Sequence, residues 1–258
     1  MTTVLAVDGT NLAHRAWHAS RENGTAAQGY VDSWIARSVE QTGSTEVVVA
    51  FDGSSAGHWR YEILPTYKAG RKSKSPEFTA YLLALPDYLA ERGWCVFTPE
   101  FFEADDVLAA VAHTRTDVVL VTGDRDSLAL APYARLLAPG SWELSDKADV
   151  HAKLGFSPDR YSFYSSIKGD SSDKIPGVRG LGPKAANSLV EVFSSVDEFL
   201  ADLASGGELT AQALGDSAAK RLVGRLDEVS TQAKLSESVI AFRHPEDVPY
   251  GPACLRPL

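Results

Sequence analysis

Cysteine is nearly absent from this chain, and long apolar runs are missing altogether. The two cysteines among 258 residues, Cys95 and Cys254, lie far apart and make no ligand spacing. That argues against a thiolate metal site and suits a reducing compartment, with one thiol in the core and one in the tail. The six histidines form no H-x-x-x-H pair, which argues against a histidine-built zinc centre. No segment approaches the roughly 20 apolar residues of a membrane span. The opening residues, MTTVLAVDGT, lack the basic flank of a secretory signal, and their apolar run ends by Val7. Repeats and low-complexity tracts are missing as well. The expectation is a soluble, cytoplasmic monomer with no membrane partner.

What is present is an ordinary globular composition, 44% hydrophobic and 23% charged, long enough for one large domain or one with an appendix. The formal charge of −9 speaks against a polyanionic partner. That inference fails if the acids gather at one place and bind cations, so their positions decide the matter.

Three short β-branched segments read as strands buried on both faces: Thr3–Val7, Glu46–Phe51 and Asp117–Thr122. Trp94–Phe97 and Arg135–Ala138 are weaker candidates. Helical patterns fall between them, at 11–20, 28–41, 76–91, 103–114 and 125–131, with Ser75 as N-cap and Pro76 in the first turn of its helix. Alternating strands and helices predict a parallel sheet covered on both faces. Beyond about residue 146 only short helical patterns follow. The expected division is therefore an α/β domain over 1–146 and a helical region over 147–258.

Each strong strand runs into acid: Asp8 after the first, Asp52 after the second, and Asp124 with Asp126 after the third. In an open parallel sheet, ligands bind in the crevice beyond the strand carboxyl ends. Glu103 and Asp106 share a face at a helix start, with Asp105 turned about 100° away. Asp170 and Asp173 repeat the three-residue spacing before a glycine-rich turn. Singly, each acid reads as a helix cap or a dipole partner. Jointly, nine of them would equal the whole formal charge of −9. Two carboxylates 4 Å apart repel by about 4 kcal/mol at an effective dielectric near 20, a large share of a typical stability of roughly 5–15 kcal/mol. Raised pKa values relieve one or two groups; hard cations such as Mg²⁺ or Mn²⁺ relieve an all-oxygen cluster entirely.

Basic residues concentrate in WRYEILPTYKAGRKSK, where Arg60, Lys68, Arg71, Lys72 and Lys74 interleave with Trp59, Tyr61 and Tyr67. Phosphate-binding cations among stacking aromatics suit a nucleic-acid strand. Gly180-Leu181-Gly182, leading through Pro183 into an Ala-rich helix with Lys184 beside it, can offer backbone N–H groups to a phosphate. A nucleotide P-loop is rejected because Pro183 occupies the lysine position. Gly53-Ser-Ser-Ala-Gly57 matches a nucleophile elbow, but Pro65 and the lack of helical period downstream oppose it.

In order along the chain stand Val7-Asp8-Gly9-Thr10-Asn11, Phe51-Asp52-Gly53, Tyr67-Lys68-Ala69-Gly70-Arg71, Glu103-Ala-Asp-Asp106, Thr122-Gly-Asp-Arg-Asp126 and Gly169-Asp-Ser-Ser-Asp-Lys-Ile-Pro-Gly177. Together they resemble the 5′-nuclease (flap endonuclease) superfamily over residues 4–200. The resemblance implies a PIN-like α/β fold, a helix–hairpin–helix DNA-binding motif, and two-metal hydrolysis of DNA bearing a 5′ end, flap or nick, RNA primers and RNA–DNA hybrids included. It makes Asp8, Asp52, Glu103, Asp105 and Asp106 ligands or near-ligands of one Mg²⁺ or Mn²⁺, and Asp124, Asp126, Asp170 and Asp173 those of a second. Lys68 and Arg71 would face the scissile phosphate. Arg60, Tyr67, Lys72, Lys74, Gly180, Gly182 and Lys184 would contact DNA. An arch would form near 60–92, and a K⁺ would bind near Ile175 and Val178. Lys174 stands where Asn is usual, Arg179 where Pro is usual, and Gly70-Arg71 replaces Asn-Arg. The alternatives are a PIN-type RNase and a catalytically silent DNA-binding module.

Overall fold

The computed structural model describes residues 2–243, 245–249 and 256–257; His244 and Cys254 lie outside them. The chain divides into two compact units. One comprises residues 1–58, 72–150 and 242–258, the other 59–71 and 151–241.

The first unit is built on strands β1 (Val4–Asp8), β2 (Glu46–Ala50), β3 (Val96–Phe97), β4 (Val118–Val121), β5 (Arg135–Ala138), β6 (Glu143–Ser145) and β7 (Arg256–Pro257). They pair in the order β3-β2-β1-β4-β5-β6, with β7 on β2. The five expected strands are all present and pair in parallel, while β6 and β7 run antiparallel to β5 and β2. These two escape a reading of periodicity because three residues and two residues carry no period. Helices α1 (Gly9–Ala19), α2 (Gly24–Thr42), α4 (Pro76–Glu91) and α5 (Ala104–Thr114) belong to this unit, whereas α3 (His58–Ile63) falls in the other unit from Trp59 on and α6 (Lys147–Leu154) passes from one to the other after Val150. The segment expected as a helix at 125–131 is a 3₁₀ turn, Asp126–Leu130.

Leu5, Val7, Val47, Val49, Val119 and Val121 point to one face, into a core shared with Leu12, Val31, Ile35, Leu85 and Leu89. Val4, Ala6, Val48 and Leu120, one residue out of phase, are equally buried, and α5 packs on the same strands. Each such side chain contributes about 1.5–3 kcal/mol. Strand order reverses at β1, with β2 and β3 on one side and β4 and β5 on the other. The ends of β1 and β4 therefore open the crevice where such sheets take ligands.

The arch expected near 60–92 takes a different form. Trp59–Arg71 belongs to the helical unit. Ser75 caps α4 by accepting from the Phe78 N–H, and Phe78, Tyr81, Leu85 and Leu89 bury that helix in the sheet unit's core. An apolar stripe of this length binds a helix to its own sheet.

The helical unit contains α7 (Tyr161–Lys168), α8 (Pro183–Val192), α9 (Val196–Ala204), α10 (Glu208–Leu214), α11 (Asp216–Val223) and α12 (Leu226–Ile240). Phe163, Phe193 and Phe199 meet at its centre, with Phe199 6.2 Å from Phe163 and 5.6 Å from Phe193 between ring centroids.

Candidate metal centre

At the sheet edge most of the acids accept backbone N–H groups at helix starts and turns. Asp8 is the last residue of β1 and the N-cap of α1. Its Oδ1 accepts from the Asn11 N–H at 2.8 Å, and its Oδ2 accepts from the Thr122 hydroxyl at 2.9 Å. Asp52 Oδ1 accepts from the Ala104 N–H at 2.9 Å, at the start of α5. Glu103 and Asp106 form a reciprocal capping box, Asp106 Oδ2 taking the Glu103 N–H at 3.2 Å. Asp124 Oδ1 holds the Asp126 N–H at 3.0 Å. Capping fixes where each carboxylate stands, and it leaves the repulsion among them in place.

Burial first, and that repulsion second, shift the protonation of two groups. Burial, joined by the charges of Asp52 and Asp124, raises Asp8 from 3.8 to about 7 against the hydrogen bonds from Asn11 and Thr122. Asp105 is pushed well above the usual carboxylate range, first by burial and then by Asp8, Asp124, Asp52 and Glu103. Its Oδ1 is shut off from solvent with no hydrogen-bond partner. Five acids from three strand ends and one helix start thus act on each other. Asp106, fully buried, stands behind them in its capping box.

Among the described residues, no three His, Cys, Asp or Glu side chains form a ready cage for an ion. The donor set nonetheless fits a hard cation: all oxygen, crowded with like charge, and with one buried oxygen lacking any proton donor.

Thr122 is the residue that the sequence reading passed over. Besides donating to Asp8, its hydroxyl oxygen accepts from the Asp124 N–H at 3.1 Å, tying two acids together without adding charge. Thr10 plays a similar part by accepting from the Asp52 N–H at 3.0 Å. A hydroxyl at the end of a buried strand was the available signal. Thr122→Val keeps the shape but leaves Asp8 Oδ2 without its donor. We expect it to cost about 1–3 kcal/mol in urea unfolding of the chelated protein, with Thr122→Ser restoring most of the loss.

Gly53 belongs to this edge for steric reasons. A Cβ there would stand 1.7 Å from the Pro99 carbonyl oxygen, so the backbone after Asp52 passes too close for any side chain. The same crossing explains the Gly53–Gly57 stretch without a nucleophile.

In the helical unit the loop 169–177 is folded on itself. Asp170 and Ile175 exchange backbone hydrogen bonds at 2.9 and 2.8 Å, and Cβ atoms on Gly169 and Gly177 would each strike the other's backbone, at 2.6 and 2.5 Å. Asp170 Oδ1 accepts from the Ser172 N–H and hydroxyl at 2.7 and 2.6 Å. Burial raises the Asp170 carboxyl, but these bonds, the Asp173 N–H and the Lys168 charge outweigh it and hold it below its ordinary value. Lys174 adopts φ +62°, a left-handed conformation that Gly or Asn tolerates better than Lys.

The basic segment is tied to this loop. The Lys68 N–H donates to the Asp173 carbonyl at 3.0 Å, and the Arg71 guanidinium pairs with the Asp173 carboxylate. Two expected DNA contacts need correction. Tyr67 is buried with Leu64, Ile175 and Val239, and Arg60 is buried with its Nε donating to the Val239 carbonyl at 3.1 Å and its guanidinium over Trp59. Their polar tips serve the packing of α3 against α12. Lys72, Lys74, Gly180, Gly182 and Lys184 are exposed. Gly182 is the N-cap of α8, with Pro183 in the first turn. Among the described residues no helix is long and apolar enough to cross a membrane.

A mostly parallel sheet with acids along one edge, followed by a bundle of short helices, defines a class: a resolvase-like α/β domain joined to a SAM-like helical fold. Residues 3–155 match the 5′-3′ exonuclease N-terminal resolvase-like domain, and residues 156–253 match the 5′-3′ exonuclease C-terminal SAM fold. The chain belongs to the 5′-3′ exonuclease family. It is 32% identical to a flap endonuclease Xni from Shewanella sediminis, over 95% of this chain and 98% of that one. It is also 32% identical to the thermostable DNA polymerase I of Thermus aquaticus over 78% of this chain, which spans 25% of that protein. T5 5′-exonuclease, solved with divalent zinc ions bound, shares the fold at a TM-score of 0.70 and 20% identity, covering 94% of this chain and 99% of that one.

Proposed function

We propose that the chain is a structure-specific 5′ nuclease, acting as a 5′→3′ exonuclease, a flap endonuclease or both, and that it hydrolyses DNA with divalent cations as cofactor. Its substrates are DNA ends, flaps or nicks met in replication or repair, and RNA-primed strands. The observation that carries this is the crowding of carboxylates at the carboxyl end of β1, with Asp105 Oδ1 shut off from solvent and lacking a hydrogen-bond partner. Family membership and full-length likeness to a flap endonuclease support the same reading.

In it, Asp8, Asp52, Glu103 and Asp105 hold one Mg²⁺ or Mn²⁺, with Asp106 fixing their helix start. Asp124 and Asp126 would serve a second, and Asp170 and Asp173 are the acids that the helical unit would contribute to catalysis. Bound divalent ions supply Lewis-acid activation of the attacking water and charge stabilisation at the departing 3′ oxygen. The protein's own part is to hold the carboxylates apart and oriented through backbone caps and the Thr122 hydroxyl. Lys68 adds positive charge toward the phosphate as it gains a fifth oxygen. Arg71 keeps Asp173 oriented and shares that charge. Lys72, Lys74, Lys184 and the N–H groups of Gly180 and Gly182 hold phosphates further along the strand. The carbonyls of Ile175 and Val178 accept from Asp170 and Leu181 N–H groups, and their remaining lone pairs are the ones that would face a K⁺. The protein works as a monomer in the cytoplasm.

The deciding assay digests one labelled 5′-flap duplex and one single-stranded RNA side by side, with Mg²⁺, with Mn²⁺ and with chelator. Metal-dependent cleavage of the flap alone is expected. Cleavage of RNA alone would move the chain to the ribonucleases, and cleavage undiminished by chelator would remove the metal from the scheme.

A further inference from the structure

The helical unit carries a cavity of about 550 Å³ that shares Gly180 with the proposed phosphate contacts but whose arginines and leucines the nuclease reading does not use. Leu181, Leu214 and Leu222 line it together with Arg179, Arg221 and Arg225. Leu181 and Leu222 are buried, and Arg179 and Arg221 are exposed. No acidic side chain lines it. In a chain of formal charge −9, three guanidiniums gathered over an apolar floor are a departure that calls for a cause.

Arg225 shows that the place is built. Its guanidinium donates to the Arg179 carbonyl, and Nη1 stands 3.8 Å from the Glu228 carboxylate. Its Nε is shut off from solvent and has no hydrogen-bond partner. An N–H so placed is costly unless something accepts from it.

The lining also says what the ligand is not. It contains no aromatic ring on which a base could stack and no amide or hydroxyl side chain to read a base edge. A phosphodiester strand would satisfy the guanidiniums and leave the leucines facing water. Guanidiniums pair equally well with carboxylates, and aliphatic floors take bulky apolar side chains. The volume lies within the about 300–1,000 Å³ of binding pockets.

We propose that this cavity binds an acidic peptide segment of a partner protein, with a bulky apolar side chain on the leucine floor and flanking carboxylates on Arg179, Arg221 and Arg225. It is a docking site separate from the chemistry at the sheet edge.

The test is fluorescence anisotropy of the full chain with a fluorescein-labelled peptide, Asp-Asp-Glu-Asp-Leu-Phe, titrated to millimolar protein. Saturable binding that weakens with salt is expected. Arg221→Glu, which reverses one charge, and Ala218→Trp, which fills the cavity and keeps every guanidinium, should each weaken it by about tenfold or more. Flap cleavage should stay within about twofold of wild type in both variants. Circular dichroism and that retained cleavage verify the fold, and Arg221→Glu alone decides if Ala218→Trp fails them. Absence of binding overturns the proposal, as does binding unchanged in the folded variants. Displacement of the peptide by an equimolar oligothymidylate would make the cavity a nucleic-acid site and overturn it equally.

Discussion

Asp105→Asn is expected to abolish cleavage and, in chelator, to stabilise the protein. The two effects share one cause. Asp105 is pushed toward protonation by burial and by Asp8, Asp124, Asp52 and Glu103, and its Oδ1 has no donor. An amide of the same shape removes the charge and gives the neighbouring carboxylates an N–H to accept. Relief of that strain should raise metal-free stability by about 1–3 kcal/mol. Activity moves the other way, because a lost carboxylate weakens the hold on an ion whose charge stabilisation in the transition state is worth several kcal/mol. A loss of about 4 kcal/mol corresponds to roughly a thousandfold in rate. Single-turnover cleavage of a labelled flap duplex and urea unfolding in chelator measure the two sides. Asp106→Asn is the control: its Oδ2 accepts the Glu103 N–H in the capping box, a bond that an asparagine carbonyl can keep. Its stability should change little. Should Asp105→Asn unfold more easily and still cut the flap, Asp105 would be structural and the cluster would lose its central member.

The contrast between Asp105 and Asp106 shows where sequence reading stops. The strands were legible because β1, β2 and β4 are buried on both faces and carry short valine-rich apolar runs. Acids at their ends followed from strand position alone, and so did the sheet edge they occupy. Spacing could not say which of Glu103, Asp105 and Asp106 would be spent on capping the helix and which left without a partner, because cap geometry depends on φ and ψ at Glu103. Nor could composition separate Arg60 and Tyr67 from Lys72 and Lys74. All four lie in one basic, aromatic stretch, yet the first two are drawn inward by Val239, some 170 residues away in sequence. Long-range partners of this kind leave no local period. Asp8 caps its helix through one carboxylate oxygen and takes the Thr122 hydroxyl on the other, a partner that the strand position did not disclose.

The pH dependence of the metal-free protein should carry the signature of Asp8. Its pKa is raised from 3.8 to about 7 in the folded protein. Below about pH 4 both folded and unfolded chains hold the proton, and the group is neutral in the balance. Between about pH 4 and 7 the unfolded chain releases it while the folded one retains it, so stability falls as pH rises. Above about pH 7 the folded chain carries the full cost, on the order of 4 kcal/mol for such a displacement. Asp170 works in the opposite sense: its lowered pKa gives stability that is lost only as the medium becomes acid enough to protonate it, below the Asp8 window. Metal-free protein should therefore melt higher at pH 5 than at pH 8, and Asp8→Asn should flatten that slope. Saturating Mn²⁺ should remove it from the other side, since a cation binding only the folded, deprotonated cluster adds about 2.7 kcal/mol at a hundred times its dissociation constant. Calorimetric melts across this range, with and without Mn²⁺, separate the contributions. Identical slopes for wild type and Asp8→Asn would mean that neither burial nor the neighbouring carboxylates hold the proton on Asp8, and without that cost the end of β1 would not call for a cation.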